Sequence, residues 1–244
     1  MFISVNLNMT HQLRIMNPMR LEWLESGTER FNRWFLQRLT GVIVPDFKEN
    51  GLAGELAHGL RVIEEDDVDY IGVLSDFKQK DVTSDLDIFV SISGFEPQRT
   101  IFEGLLMGEL EGFEGSAVVS LGKPSGVTKE GNLRVQGISP RETQEDLLNR
   151  AKIVVARSGY STMMDLCALG KRSLLVPTPG QTEQEYLAEY HMGRGSFYCV
   201  PQNELDLQEQ LHEVMSHQPP TPQHSVAKSV ENAVGLITGT GTAV

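Results

Sequence analysis

A chain of 244 residues is long enough for one large or two modest domains with a substantial buried core. Thirty-three acidic residues against 21 Lys and Arg give a formal net charge of −12 and a pI near 5.0. This argues against broad nucleic-acid binding, which needs a basic face to neutralise phosphates. Cys167 and Cys199 sit in apolar contexts without CxxC spacing, so neither a disulfide framework nor a zinc site is indicated and a reducing compartment is expected.

No apolar run reaches the eighteen or so residues that span a bilayer, and residues 1–10 lack the basic flank and cleavage pattern of a leader; the expectation is a soluble, cytoplasmic chain. Over 21–39, Leu24, Phe31, Trp34, Phe35 and Leu39 recur at helical spacing, with Arg30, Arg33 and Arg38 among them. Such a basic amphipathic helix is able to rest on a membrane surface, but packing its aromatic face on a core is the commoner use and is expected here.

Short apolar runs follow at 42–45, 70–74, 88–93, 117–121, 133–138, 153–156, 174–177 and 197–200, several of them uninterrupted, as in strands covered on both faces. Helical patterns over 97–107, 142–151, 161–169 and 183–191 alternate with them, which predicts an α/β fold with a parallel sheet and helices on both sides. Ser139-Pro140-Arg141-Glu142 and Thr182-Glu183-Gln184-Glu185 have the spacing of capping boxes. The polar stretch 76–86 reads as an interdomain linker, and the Pro-rich 218–222 as a break. The expected division is therefore 1–75, 76–217 and a flexible tail over 218–244.

Three turns carry the chemistry. Ser158-Gly159 stands between an apolar run and a helix, where free backbone N–H groups bind phosphate; Thr162 and Asp165 share the helix face above it, and Asp165 is placed to accept hydrogen bonds from a ribose diol. The alternatives are that Ser158 or Ser161 only caps the helix and that Asp165 is only a solvated helix residue. A second turn, Ser93-Gly94-Phe95-Glu96-Pro97, opens a helix in which Arg99 could pair with a phosphate oxygen, unless Glu96 merely complements the helix dipole. In the third, Gln184 and Glu185 offer an amide and a carboxylate suited to sugar hydroxyls, while Glu185 also fits the last position of a capping box. Turns at the carboxyl ends of strands in one sheet are where open α/β folds bind ligands.

The run Ser158-Gly159-x-x-Thr162-x-x-Asp165, followed by Ala168-x-Gly170-Lys171 and Leu175-Val176-Pro177, resembles the donor-binding domain of MurG-like GT-B glycosyltransferases, the glycosyltransferase family 28 C-terminal domain. The resemblance runs from about residue 87 to 200. It implies a Rossmann-like, parallel-sheet donor domain plus a remnant of the amino-terminal acceptor domain. It also implies an inverting hexosyl transfer from a UDP-sugar, UDP-GlcNAc-like, to a sugar or lipid-linked acceptor, with no metal or other cofactor. Ser93, Gly94, Arg99, Ser158, Gly159 and Thr162 would then meet the diphosphate, Asp165 the ribose, Ile138 the base, and Gln184 and Glu185 the sugar. The sequence departs from the family pattern in having Asp165 for the usual Glu and Glu185 for the second Gln. The family's first glycine-rich loop, thought to hold the catalytic base, has no counterpart; His11 is a base candidate by its chemistry alone.

Other chemistries are weaker. Asp85-Leu86-Asp87 fits a DxD metal pattern but precedes a strand instead of ending one, and no HxxxH, Gly-x-Ser-x-Gly or Walker A spacing occurs. Two further readings stay open: a donor-binding subunit or truncated chain, inactive alone, that pairs with a partner chain or self-associates through exposed apolar surface, and a nucleotide-sugar hydrolase in which water replaces the acceptor.

Overall fold

A computed structural model describes residues 2–3, 22–39, 41–59 and 67–239. The chain divides into two compact units, one of Met1–Ser75 with Pro222–Val244 and one of Asp76–Thr221.

In the first unit, β1 (Phe2–Ile3), β2 (Val42–Val44) and β3 (Val68–Tyr70) form a parallel three-stranded sheet in the order β1-β2-β3, with helix α1 (Glu22–Leu36) between β1 and β2. The loop after β2 is organised by one buried carboxylate. Asp46 accepts the backbone N–H groups of Phe47 at 2.9 Å, Leu52 at 2.7 Å and Ala53 at 2.9 Å, and its Oδ2 lies 3.0 Å from His58 Nε2. The His58 ring stacks on Tyr70. Gly51 closes over this pair, and a Cβ there would collide with both side chains.

Two expectations are corrected in this unit. The aromatic face of α1 is not packed on a core: Trp23, Phe31 and Trp34 are 70%, 56% and 52% exposed, whereas Asn32 and Leu36 are buried. Asn32 and Leu36 lie four apart on one stripe of the helix, and the aromatic residues stand on the others. The segment expected to be a flexible tail contains a further helix (Val226–Thr238), capped by Ser225 Oγ accepting from Lys228 N and ended by Gly239 in the left-handed region. The Pro-rich break conceals it, because a Pro cluster stops one element without forbidding the next.

The second unit is a seven-stranded sheet in the order β10-β9-β8-β4-β5-β7-β6, parallel except for the β6/β7 pair. In chain order it runs β4 (Leu86–Ser91), α2 (Gln98–Glu109), β5 (Ala117–Ser120), β6 (Thr128–Glu130), β7 (Leu133–Gln136), α3 (Arg141–Arg150), β8 (Ala151–Arg157), α4 (Tyr160–Leu169), β9 (Arg172–Val176), α5 (Thr182–Gly193), β10 (Tyr198–Cys199) and α6 (Leu207–Val214). The Val226–Thr238 helix of the first unit is α7. The core of the second unit joins Ile88 and Val90 of the central strand β4, and Ile92 just after it, with Phe102, Leu106, Val119, Val155 and Leu174. β6 escapes sequence reading because its Thr-Lys-Glu is wholly exposed and carries no apolar signal.

Residues 76–85 form no helix or strand but are not a loose linker. Lys78 N donates to Glu145 Oε2 at 2.9 Å and Lys80 N to Asn149 Oδ1 at 2.8 Å, tying the segment along α3. Neither expected capping box forms. Pro140 and Gln181 hold the cap positions of α3 and α5 without a side-chain bond, and Ser139 Oγ instead takes Gln136 Nε2 at 2.5 Å.

At the amino edge of the sheet, Asp87 is held by Lys152 Nζ at 2.6 Å and by Ser116 N and Oγ at 2.8 Å each. The Lys152 bond first, then Ser116, pulls its pKa from 3.8 to about 2. A depressed carboxylate stabilises the fold above its ordinary pKa and loses that contribution as pH falls through the folded value. Asp87→Asn is therefore expected to flatten the acid arm of stability between 3.8 and about 2, measured by denaturant unfolding at stepped pH.

Candidate functional site

The strand exits align by register. Ser91 pairs with Ser120 and with Ala156, Ser120 with Gln136, Ala156 with Leu175 and Leu175 with Cys199, so six exits leave the sheet in one row. The turns singled out in the sequence follow from that row, and Ser93, Ile138, Ser158 and Thr178 all stand within three residues of it. The DxD carboxylates Asp85 and Asp87 lie at the opposite edge, paired with Arg150 and Lys152. Among the described residues no group of His, Cys, Asp and Glu could hold a metal ion.

Helix α4 starts at Gly159, whose extended backbone leads into the first turn without a side-chain cap. Ser158 is not that cap. It is wholly buried and its Oγ donates to Gln184 O at 3.0 Å, fastening the start of α4 to the first turn of α5. Thr162 and Asp165 follow, both half-buried, one turn and less than two turns along the helix. Gly170, left-handed at φ 61°, ends the helix, and Lys171 turns back to the carbonyls of Asn149 and Ala151.

The second turn presents Ser93 and Gly94 to solvent, with Gly94 at φ 110°, a conformation that side-chain-bearing residues rarely adopt. Arg99 stands behind them between two carboxylates, paired with Glu96 and lying 3.6 Å from Glu103. Glu103 also holds Lys123 at 2.6 Å. Ile138, at the exit of β7, is 64% exposed, an apolar side chain on the same edge.

In the third turn both side chains brace the loop. Gln184 Oε1 accepts Thr178 N at 2.9 Å and its Nε2 donates to Gln181 Oε1 at 2.5 Å, while Glu185 Oε1 accepts Gly180 N at 2.8 Å. A cavity of about 360 Å³ adjoins this turn, walled by Pro177, Pro179, Met192, Cys199 and Gln202. Of the candidate residues only Glu185 reaches it, so it is not the space above the α4 start. The Cys199 thiol on its wall is pushed up to about 12 by burial and is unreactive at neutral pH. His11 lies outside the described residues.

The residue that sequence reading missed is Arg157, the last of β8. It is 2% exposed. Burial lowers its pKa to about 10. Its Nη1 donates to Pro177 O at 3.1 Å and its Nη2 to Gln98 O at 3.2 Å and Gln202 Oε1 at 2.7 Å, so it joins the exits of three strands. The available signal was an arginine directly before Ser158-Gly159.

Residues 124–236 match the glycosyltransferase family 28 C-terminal domain. Over 79 residues, 31% of the chain, the sequence is 35% identical to the UDP-N-acetylglucosamine–N-acetylmuramyl-(pentapeptide) pyrophosphoryl-undecaprenol N-acetylglucosamine transferase of Histophilus somni (strain 129Pt), covering 22% of that protein. The chain thus aligns with about a fifth of that relative's length. Its fold is shared with the kitacinnamycin glycotransferase (TM-score 0.57, 14% identity, 98% of this chain and 66% of that one). It is shared as well with MurG of Acinetobacter baumannii (TM-score 0.51, 16% identity, 85% and 64%). The architecture is that of GT-B proteins.

The bracing role of Gln184 has a measurable consequence. Gln184→Ala leaves the Thr178 N–H without its acceptor, and the expected loss is about 1–3 kcal/mol of unfolding free energy by thermal or urea denaturation.

Proposed function

We propose that the second unit binds a nucleoside-diphosphate sugar and that the chain serves glycosyl transfer from it. The observation that carries this reading is the start of α4: a helix N-terminus without a side-chain cap, at the carboxyl edge of a parallel sheet, within the family 28 domain. The diphosphate lies against the backbone N–H groups after Ser158 and Gly159, with Thr162 beside it, and Asp165 accepts the ribose hydroxyls. Ser93, Gly94 and Arg99 flank the phosphates, Ile138 packs on the base, and Gln184 and Glu185 face the hexose. Asp165 is a methylene shorter than the family's Glu, so the ribose sits closer to the α4 backbone.

In the reaction an acceptor hydroxyl oxygen bonds to the anomeric carbon as the bond from that carbon to the diphosphate oxygen breaks, and the hydroxyl proton passes to a general base or to water. The developing charge on the departing nucleoside diphosphate is stabilised by the helix-start N–H groups. The Histophilus relative's name specifies an N-acetylglucosamine donor and a pyrophosphoryl-undecaprenol acceptor. By analogy the donor here is UDP-GlcNAc-like and the acceptor lipid-linked.

Calorimetry with UDP and UDP-GlcNAc tests the donor site. The chain is expected to bind both, and Asp165→Ala to weaken both about tenfold or more, as loss of a charged hydrogen-bond acceptor does. Absence of binding by the unaltered chain sinks the proposal.

A lipid-linked acceptor requires access to a membrane surface, and α1 supports it. Among the described residues no helix is long and apolar enough to cross a membrane. Trp23, Phe31 and Trp34 are nonetheless exposed on a helix that carries Arg30 and Arg33, the composition of an interfacial helix on an anionic bilayer. Replacing Trp23 and Trp34 by Ser is expected to abolish sedimentation with vesicles containing phosphatidylglycerol while leaving UDP affinity unchanged.

A further inference from the structure

Arg157 is a buried cation that no carboxylate among the described residues offsets. Its hydrogen bonds go to the backbone oxygens of Pro177, Val176 and Gln98 and to the Gln202 amide, and its guanidinium lies 3.8 Å from the centre of the buried Phe102 ring. Its Nε, fully buried, has no acceptor among the described residues. Taking a charge out of water without an ionic partner is costly, and an arrangement of this kind becomes favourable when a ligand brings the missing negative charge.

The acceptors of Arg157 come from the segments that surround the start of α4. Gln98 opens α2 behind the Ser93-Gly94 turn, Val176 and Pro177 end β9, and Arg157 itself directly precedes Ser158-Gly159. A guanidinium that holds these carbonyl oxygens turns the negative ends of those peptide groups inward, onto itself. Arg99 cannot supply the same field, because Glu96 and Glu103 offset it. Lysine could not replace Arg157 either: an ammonium lacks the planar fork that reaches several acceptors while stacking on a ring.

We propose that Arg157 is the positioning residue of the anion subsite, drawing three strand exits together and furnishing the uncompensated positive charge that a nucleoside diphosphate completes. This rests on the donor-binding reading above. Arg157 does not touch the ligand; it acts through the turns it holds and through its field.

The test compares UDP with uridine, which shares the base and ribose but has no phosphate. Calorimetry is run on the full chain as wild type, Arg157→Gln and Arg157→Lys, with circular dichroism to verify folding. Arg157→Gln is expected to lower UDP affinity about tenfold or more while uridine affinity stays within about twofold. Arg157→Lys, which keeps the charge and loses the fork, is expected to lose about threefold on UDP alone. If Arg157→Gln fails to fold, the lysine variant decides. Equal losses on UDP and uridine, or a wild-type ratio of the two in the folded variants, overturn the proposal, since a merely structural arginine would not change that ratio. Wild-type chain that binds uridine but not UDP removes the anion subsite; wild-type chain that binds neither removes the donor reading itself, and this inference with it.

Discussion

Ser91, at the end of β4, is in register with Ser120 on one side and Ala156 on the other, and Ala156 is in register with Leu175. Parallel pairing forces the chain to return to the same starting edge for every strand, so every exit falls on the opposite edge. With the exits in one row, turns far apart in sequence meet around the start of α4, where Ser158 and Arg157 then tie them together. The apolar strands that enforce this register, Ile88 to Ile92 above all, are buried on both faces, and a slip of one residue would send every side chain into the face packed around its neighbour. The site thus inherits its geometry from the core.

Charge is distributed unevenly over the two edges. At the amino edge, acids and bases are matched: Asp85 with Arg150, Asp87 with Lys152, and the segment after residue 76 with Glu145. At the carboxyl edge, Arg99 and Lys123 are matched with Glu96 and Glu103, but among the described residues no acid matches Arg157. A chain with net charge −12 repels anions at long range. An anion site in such a protein must therefore be made locally, from backbone N–H groups and a cation shielded from competing carboxylates. The helix start after Arg157 has both.

The same contrast explains what could be read in advance. Apolar runs of four to six residues separated by helical patterns are a strong signal, and β4, β5, β7, β8 and β9 with α2 to α5 lie where that pattern puts them. Polar edge strand β6 carries no such signal, whereas α6 and the helix after the Pro-rich break do space apolar residues helically, at Leu207, Leu211 and Val214 and at Val226, Val230, Val234 and Ile237, a signal that the proline cluster between them obscures. The α1 face misleads for a related reason: helical spacing reports that a face is apolar, and says nothing about whether anything covers it. Ser139 and Ser158 were plausible caps by spacing, yet each hydroxyl bonds a group brought near by the fold, Gln136 and Gln184 O.

Sequence alone determined the fold class, the alternation of strand and helix, the small-residue turn at Ser158-Gly159 and its likeness to a nucleotide-sugar domain, because these depend on patterns local to a few residues. Tertiary structure alone decided which arginine stands uncompensated, which hydroxyls are already engaged, and which aromatic face is left open. Those properties depend on partners from distant segments, such as Gln98 and Pro177 on Arg157. Burial and pairing are properties of the assembled core, and no spacing along one strand encodes them.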